Sequence, residues 1–319
     1  MIEHKTTTVS RGFLSGLLIT TDQAHWTSSA ILHMIKEIIT RAEYLNKPGW
    51  ASDARKLFAW IKTPLVNMAG APFGMFQKGN GKLPFWTWSS LPGVNCPGAG
   101  ACLLIDKIKN RFLGWCYSLK AWRYPAAFMR QLQNTILELP AYRPLIVNEL
   151  RRIYETKANQ GRVIPLRLYV DGDFKTLNAL RFWMDTLKKF PRIQAYGYSK
   201  SLHLFMELDQ TGYEWPKNYA LNLSSGGKYS TGPVAEYVKT LPIYRGEFVA
   251  VMVSRETERA WSKQEMTRDH TREIREKFAG EKVFICPKYC GDCTLMKDNP
   301  HACGNRDKFK DIKIVIPIH

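Results

Sequence analysis

From residue 163 onward, short apolar runs alternate with stretches of helical periodicity, and few architectures accommodate that alternation. Residues 163–170, 193–198, 219–223 and 248–253 read as strands, with a helix over 177–189 and a short one over 201–209. Apolar runs of this kind suit strands covered on both faces, the situation of a parallel sheet. A charged helix over 256–279 and strands over 283–285 and 312–318 continue the series. The strand-like Phe85-Trp86-Thr87-Trp88-Ser89 brings the count to seven. This pattern predicts an α/β protein built as a parallel βα barrel of the TIM type, complete or open.

The N-terminal part has a different texture. Thr21-Asp22 can cap a helix from about residue 23, in which Trp26, Ile31, Met34, Ile35, Ile38, Ile39, Ala42 and Leu45 recur at helical spacing. Lys47-Pro48-Gly49 stops it, and a second helix follows over 51–62. Residues 64–100 are dense in Gly and Pro, and helices are expected over 118–139 and 144–158. The expected organisation is a helical layer over 1–70, a barrel core over 71–280 and a cysteine-rich segment with a final strand over 281–319. Residues 12–19 faintly echo a signal peptide, but their apolar core is short and no cleavage site follows. No apolar run approaches a membrane span, so a cytoplasmic protein without membrane association is expected. The oligomeric state is not legible.

Seven cysteines cannot form a complete disulfide set. By position they divide into Cys96, Cys102 and Cys116, and Cys286, Cys290, Cys293 and Cys303. The second set offers four soft ligands, enough to saturate a tetrahedral zinc or to hold an iron–sulfur cube, with His301 as a substitute ligand. The first set offers three. Three thiolates on a [4Fe-4S] cluster leave one iron open to a substrate or cofactor, whereas ordinary buried cysteines are the plain alternative.

In βα barrels the loops after the strands build the site. Here those loops carry Cys96 and Cys102, Asp171-Gly172-Asp173, Ser199-Lys200-Ser201, Ser224-Ser225-Gly226-Gly227 and Cys286. Asp171, Asp173 and Lys200 are the catalytic candidates. The two carboxylates either contact a cofactor, hold Mg²⁺ for phosphoryl transfer with Lys200 on a phosphate, or simply close a turn. Ser224 and Ser225 present hydroxyls and amides to an anion or form a plain turn. A formal charge of +18 suits nucleic acid or another polyanion. Lys120, Arg123 and Arg130, interleaved with Trp122 and Tyr124, and Arg151 and Arg152 on the next helix are the candidate contacts. His25, His33 and His270 lie in helical stretches with no evident partner.

Three stretches together resemble a known family. They are Leu-Pro-Gly-Val-Asn-Cys-Pro-Gly-Ala-Gly-Ala-Cys (91–102) leading to Trp-Cys-Tyr-Ser (115–118), Leu-Tyr-Val-Asp-Gly-Asp-Phe (168–174) and Tyr-Gly-Tyr-Ser-Lys-Ser (196–201). They resemble the phage and plasmid family named after gene eighty-eight of mycobacteriophages, over roughly residues 75–230. The chain is more distantly similar to radical S-adenosylmethionine enzymes. That resemblance implies a barrel with three cysteines on a four-iron cluster after the first strand and an acidic motif after the second. It implies S-adenosylmethionine on the open iron. Trp115 and Tyr117 beside Cys116, with Asp171 or Asp173 at the acidic motif and Ser199, Ser224 and Ser225, would be the cofactor contacts. The spacing Cys-x3-Cys-x2-Cys usual in that superfamily occurs instead at Cys286, Cys290 and Cys293. Three functions stay open: an iron–sulfur enzyme acting on or bound to nucleic acid or a nucleotide, a zinc-stabilised nucleic-acid-binding protein, and a Mg²⁺-dependent phosphoryl-transfer enzyme.

Overall fold

The computed structural model describes residues 6–8, 12–14, 17–20, 26–68, 70–80, 83–102, 104–106, 111–113, 116–290, 293 and 302–317. Short strands β1 (Thr6–Thr8) and β2 (Leu18–Thr20) precede helices α1 (Ser28–Tyr44) and α2 (Pro48–Lys62). Strands β3 (Gln77–Asn80), β4 (Leu83–Thr87), β5 (Leu104–Asp106) and β6 (Arg111–Leu113) lead to α3 (Pro125–Leu137) and α4 (Arg143–Glu155). Then come β7 (Ile164–Leu168), α5 (Leu177–Lys188), β8 (Ile193–Ser199), α6 (Leu202–Asp209), β9 (Tyr219–Ser224), α7 (Pro233–Lys239) and β10 (Tyr244–Val251). The chain ends with α8 (Arg255–Lys263), α9 (Arg268–Glu276), β11 (Val283–Ile285), α10 (Arg306–Phe309) and β12 (Lys313–Pro317).

The main sheet has eight strands in the order β11-β12-β10-β9-β8-β7-β4-β3. Every pair in it is parallel except β3 with β4. Units β7-α5-β8, β8-α6-β9 and β9-α7-β10 are the parallel crossovers that the alternation demanded. Two features depart from a barrel of consecutive strands. The last strand, β12, inserts between β10 and β11, and β3 and β11 remain separate edges. The sheet is therefore an open, mostly parallel one, and no barrel closes among the described residues. A second sheet, β2-β1-β6-β5, has four short strands.

Local chemistry accounts for the helix boundaries. In α1, the Thr27 hydroxyl accepts from Ala30 N, and Ile31, Met34, Ile35, Ile38 and Ala42 form the buried stripe. In α2, Pro48 occupies the first turn, where a missing N–H costs nothing. The helix expected over 118–139 is instead a 3-10 turn over Tyr117–Arg123 followed by α3, because Pro125 restarts the backbone. The one expected over 256–279 breaks at Gln264, which takes a left-handed conformation (φ 63°), and restarts at the Thr267–His270 capping box. His33 is exposed on α1, and His25 lies outside the described residues.

Two large apolar clusters hold the helices. One joins α1, α2 and α3 through Trp50, Leu57, Phe128 and Leu132. The other lies between the sheet and α4 to α7, around Trp88, Trp183, Leu166 and Phe205. On β7, Ile164, Leu166 and Leu168 are buried toward the helices, whereas Arg167 alternates to the opposite face. On that opposite face Phe85, Tyr196, Ala220 and Ile314 pack with Ala302 and Cys303. None of the helices is long and apolar enough to cross a membrane among the described residues.

Candidate functional site

A cavity of about 470 Å³ opens where the parallel strands end. All seven cysteines line it, together with Asp173 from the loop after β7, Lys200 from the loop after β8 and Ser224 at the end of β9. Arg167, Tyr198 and Phe248 supply much of its wall. Sites at the carboxyl ends of parallel strands follow from the shared direction of the strands, which brings their loops to one edge. The two cysteine sets are distant in sequence, yet they meet at this single cavity.

The first set is fixed from two sides. The polar side of α3 grips the chain on either side of β4: Asn134 Nδ2 donates to Met75 O and Ser89 O, Gln133 pairs with the Phe73 backbone, and the Thr135 hydroxyl accepts from Leu91 N. The Cys96–Cys102 loop then lies directly on the next two loops. A Cβ at Gly98 would stand 1.9 Å from Lys200 O, and one at Gly100 2.7 Å from Gly226 O. Lys228 N donates to Gly98 O at 3.0 Å. Glycine is required there because two backbones touch. Cys96, Cys102 and Cys116 gather beside Ala99 and Leu119. Burial pushes the Cys96 thiol well up, with Asp173 and Cys116 adding to it, and pushes Cys116 up as well.

The second set sits on the open face of the sheet. Cys286 N donates to Val315 O, and Trp261 Nε1 donates to Cys286 O at 2.7 Å. Cys303 lies in a 3-10 turn, Ala302–Gly304, and Ala302 N donates to Cys293 Sγ. Cys286, Cys290 and Cys293 pack around Cys303 with Phe284 and Phe309. Burial raises Cys286 to about 12 and Cys303 to about 11, the neighbouring thiols adding to both. No disulfide joins these cysteines among the described residues. Among the described residues, no group of three or more His, Cys, Asp or Glu side chains stands ready to hold a single metal ion. His301 lies outside the described residues.

The acidic motif is committed to the protein. The Asp173 carboxylate accepts from Phe174 N (2.8 Å), Ser199 Oγ (2.8 Å), Lys200 N (2.8 Å) and Ser201 N (3.1 Å). These four donors match the acceptor capacity of a carboxylate. Asp173 thus fixes the turn that carries Lys200, while Gly172 (φ 81°) lets the chain pass Ser90. Asp171 is half-buried, and Gln131 Nε2 donates to it at 3.0 Å. Burial raises both carboxyls, and the donors around them pull in the opposite direction. Lys200 Nζ donates to Ser224 Oγ at 2.6 Å. The Ser225 hydroxyl accepts from Ala250 N, so it ties the loop after β9 to the end of β10.

The basic candidates do not converge. Lys120 and Arg123 are exposed, as are Arg151 and Arg152, and Arg152 forms a two-pronged pair with Glu149. Arg130 is half-buried and lines a separate cavity of about 280 Å³ with Asp171. Trp115 lies outside the described residues, as does the side chain of Tyr117.

Sequence reasoning passed over three residues that shape the site. Arg245 is fully buried in β10, Asn222 links it to Cys303, and Glu138 caps α3 behind the Cys96 loop. A charged residue inside the apolar run Pro-Ile-Tyr-Arg-Gly-Glu-Phe-Val was the available signal for Arg245. Residues 68–305 match the family model described as "Gene product 88", a stretch that contains both cysteine sets. No curated protein and no solved structure matches the chain.

Proposed function

The chain belongs to the gene product 88 family, and we propose that it is an iron–sulfur protein whose two cysteine sets hold separate centres facing one cavity. The observation that carries this reading is the lining of that cavity by all seven cysteines. Cys96, Cys102 and Cys116 would hold a four-iron cluster with one iron open, and Cys286, Cys290, Cys293 and Cys303 a saturated cluster or a zinc ion. When bound, an open cluster supplies an electron and an iron that a substrate can ligate.

The chain's own residues would bind and orient that substrate. Lys200 Nζ and Arg167 offer positive charge to an anionic group, and Tyr198 and Phe248 offer flat apolar surface. A nucleotide, free or within a nucleic acid, combines these two features. The link to radical S-adenosylmethionine enzymes rests on cysteine order and on the rim of loops. Of its two candidate acidic contacts, Asp173 is taken up by the protein, because its oxygens already accept four protein donors. The same commitment counts against Mg²⁺ on Asp173, since that metal takes accessible carboxylate oxygens and water.

Anaerobic purification with an absorbance spectrum tests the reading. A brown protein with broad absorption near 400 nm and acid-labile sulfide is expected. A colourless protein that takes up no iron and sulfide on reconstitution overturns it. A colourless protein with one tightly held zinc would instead support the zinc-stabilised nucleic-acid-binding reading.

A further inference from the structure

We propose that Arg245 is the charge partner of the metal centre held by Cys286, Cys290, Cys293 and Cys303. This rests on the assignment of a metal to that set. Arg245 is 0% exposed, yet it forms no ion pair with a carboxylate among the described residues. Nε donates to Asn222 Oδ1 at 2.7 Å, Nη1 to Ile312 O at 2.7 Å and Phe309 O at 3.2 Å, and Nη2 to Asn222 Oδ1 and to Glu247 O at 3.3 Å. Every one of these acceptors is neutral. They satisfy the N–H groups but bring no negative charge within ion-pair distance; the Asp311 carboxylate acts on the guanidinium only from beyond that distance, and a buried charge without a paired partner is costly.

The compensating charge lies one residue away. Asn222 accepts from Arg245 through Oδ1 and donates through Nδ2 to Cys303 O at 3.0 Å. Four thiolates around a zinc ion leave two net negative charges. That excess is enclosed here by Phe284, Phe309, Tyr198 and Phe248, and a buried cation beside it answers both needs.

The backbone is shaped to deliver this side chain. The β9–β10 register shifts between Tyr244 and Gly246, so Arg245 is the extra residue of a bulge. A bulge re-aims a side chain that regular alternation would turn elsewhere. A Cβ at Gly246 would stand 2.6 Å from Ile312 O, so glycine at this position lets the C-terminal segment close over the guanidinium.

Cobalt(II) titration, read by thiolate-to-cobalt absorption, separates charge from clamping. The parent is the full-length Cys102→Ser/Cys116→Ser protein, so that the signal comes from the C-terminal set. Arg245→Gln, which removes the charge, is expected to weaken cobalt binding by about 10–100-fold. Arg245→Lys keeps the charge and loses the planar fork, and is expected to stay within about threefold of the parent. Parent-like binding by Arg245→Gln overturns the proposal, and so does a lysine variant as weak as the glutamine one. If the glutamine variant does not fold, the lysine variant decides alone: retained binding supports the proposal and lost binding overturns it. A parent that gives no cobalt–thiolate band removes the metal assignment itself, and the proposal with it.

Discussion

Glu138 should make the stability of this protein pH-dependent in a direction opposite to that of an ordinary carboxylate. The residue is 3% exposed at the end of α3. Tyr169 OH, Trp88 Nε1 (3.1 Å) and Trp183 Nε1 (3.3 Å) donate to one oxygen, and Asn95 Nδ2 (2.9 Å) donates to the other. Burial pushes the carboxyl up; these donors and the nearby Arg143 pull it back, leaving it at about 7 against 4.5 in the unfolded chain. A folded-state value above the unfolded one means that the folded protein holds the proton more tightly. The associated stability is complete below pH 4.5 and is lost as pH rises toward 7. At 1.36 kcal/mol per unit, the loss is about 3 kcal/mol. Glu138→Gln removes the titration and keeps an acceptor for Tyr169 and the two indoles. Asn95 Oδ1 has no hydrogen-bond partner among the described residues, so its amide can turn over and accept from the new Nε2. Denaturant unfolding of both proteins at pH 4.5 and pH 8 should show the variant gaining about 3 kcal/mol relative to wild type across that interval. A difference that stays constant with pH would refute the reasoning. Because Asn95 precedes Cys96, the experiment also probes how α3 secures the first cysteine loop.

Three further outcomes are expected. Gly98→Ala places a methyl group on Lys200 O and should destabilise the protein by about 3 kcal/mol in denaturant unfolding. Parent-like stability would mean that the loop contact is looser than described. Asp173→Asn puts an amide group against backbone donors of the Ser199–Ser201 turn and should cost about 3 kcal/mol, whereas a purely ligand-binding carboxylate would leave thermal unfolding unchanged. If Lys120 and Arg123 contact nucleic-acid phosphates, Lys120→Gln/Arg123→Gln should weaken binding and lower its salt slope by about two; an unchanged slope removes them from the interface.

The consecutive parallel strands β7, β8 and β9 were legible almost to the residue, because strands buried on both faces leave long apolar runs between turn signals. The polar edge strand Gln77–Asn80 and the short pieces of the second sheet were not, since neither is long enough to show a period. Strand order was also hidden. Nothing local tells β12 to insert between β10 and β11, a choice made by long-range pairing. At the site, the cysteines and the rim loops could be named from sequence, because their spacing and their place after strands are visible. What could not be read is who satisfies whom. Asp173 looked like a ligand contact, but its oxygens face backbone donors from the Ser199–Ser201 turn that the chain reaches only after another strand and helix. Arg245 and Cys303 are joined through Asn222, a link that exists only in the folded sheet.

The most direct test of the central claim is iron and sulfide content per chain after anaerobic reconstitution, for wild type and for two variants. One variant carries serine at Cys96, Cys102 and Cys116, the other at Cys286, Cys290, Cys293 and Cys303. If both sets hold cubes, wild type carries about eight irons and each variant about four; if the C-terminal set holds zinc, only the first variant loses iron. Iron content unaffected by the loss of Cys96, Cys102 and Cys116 would contradict the assignment of an open cluster to that set.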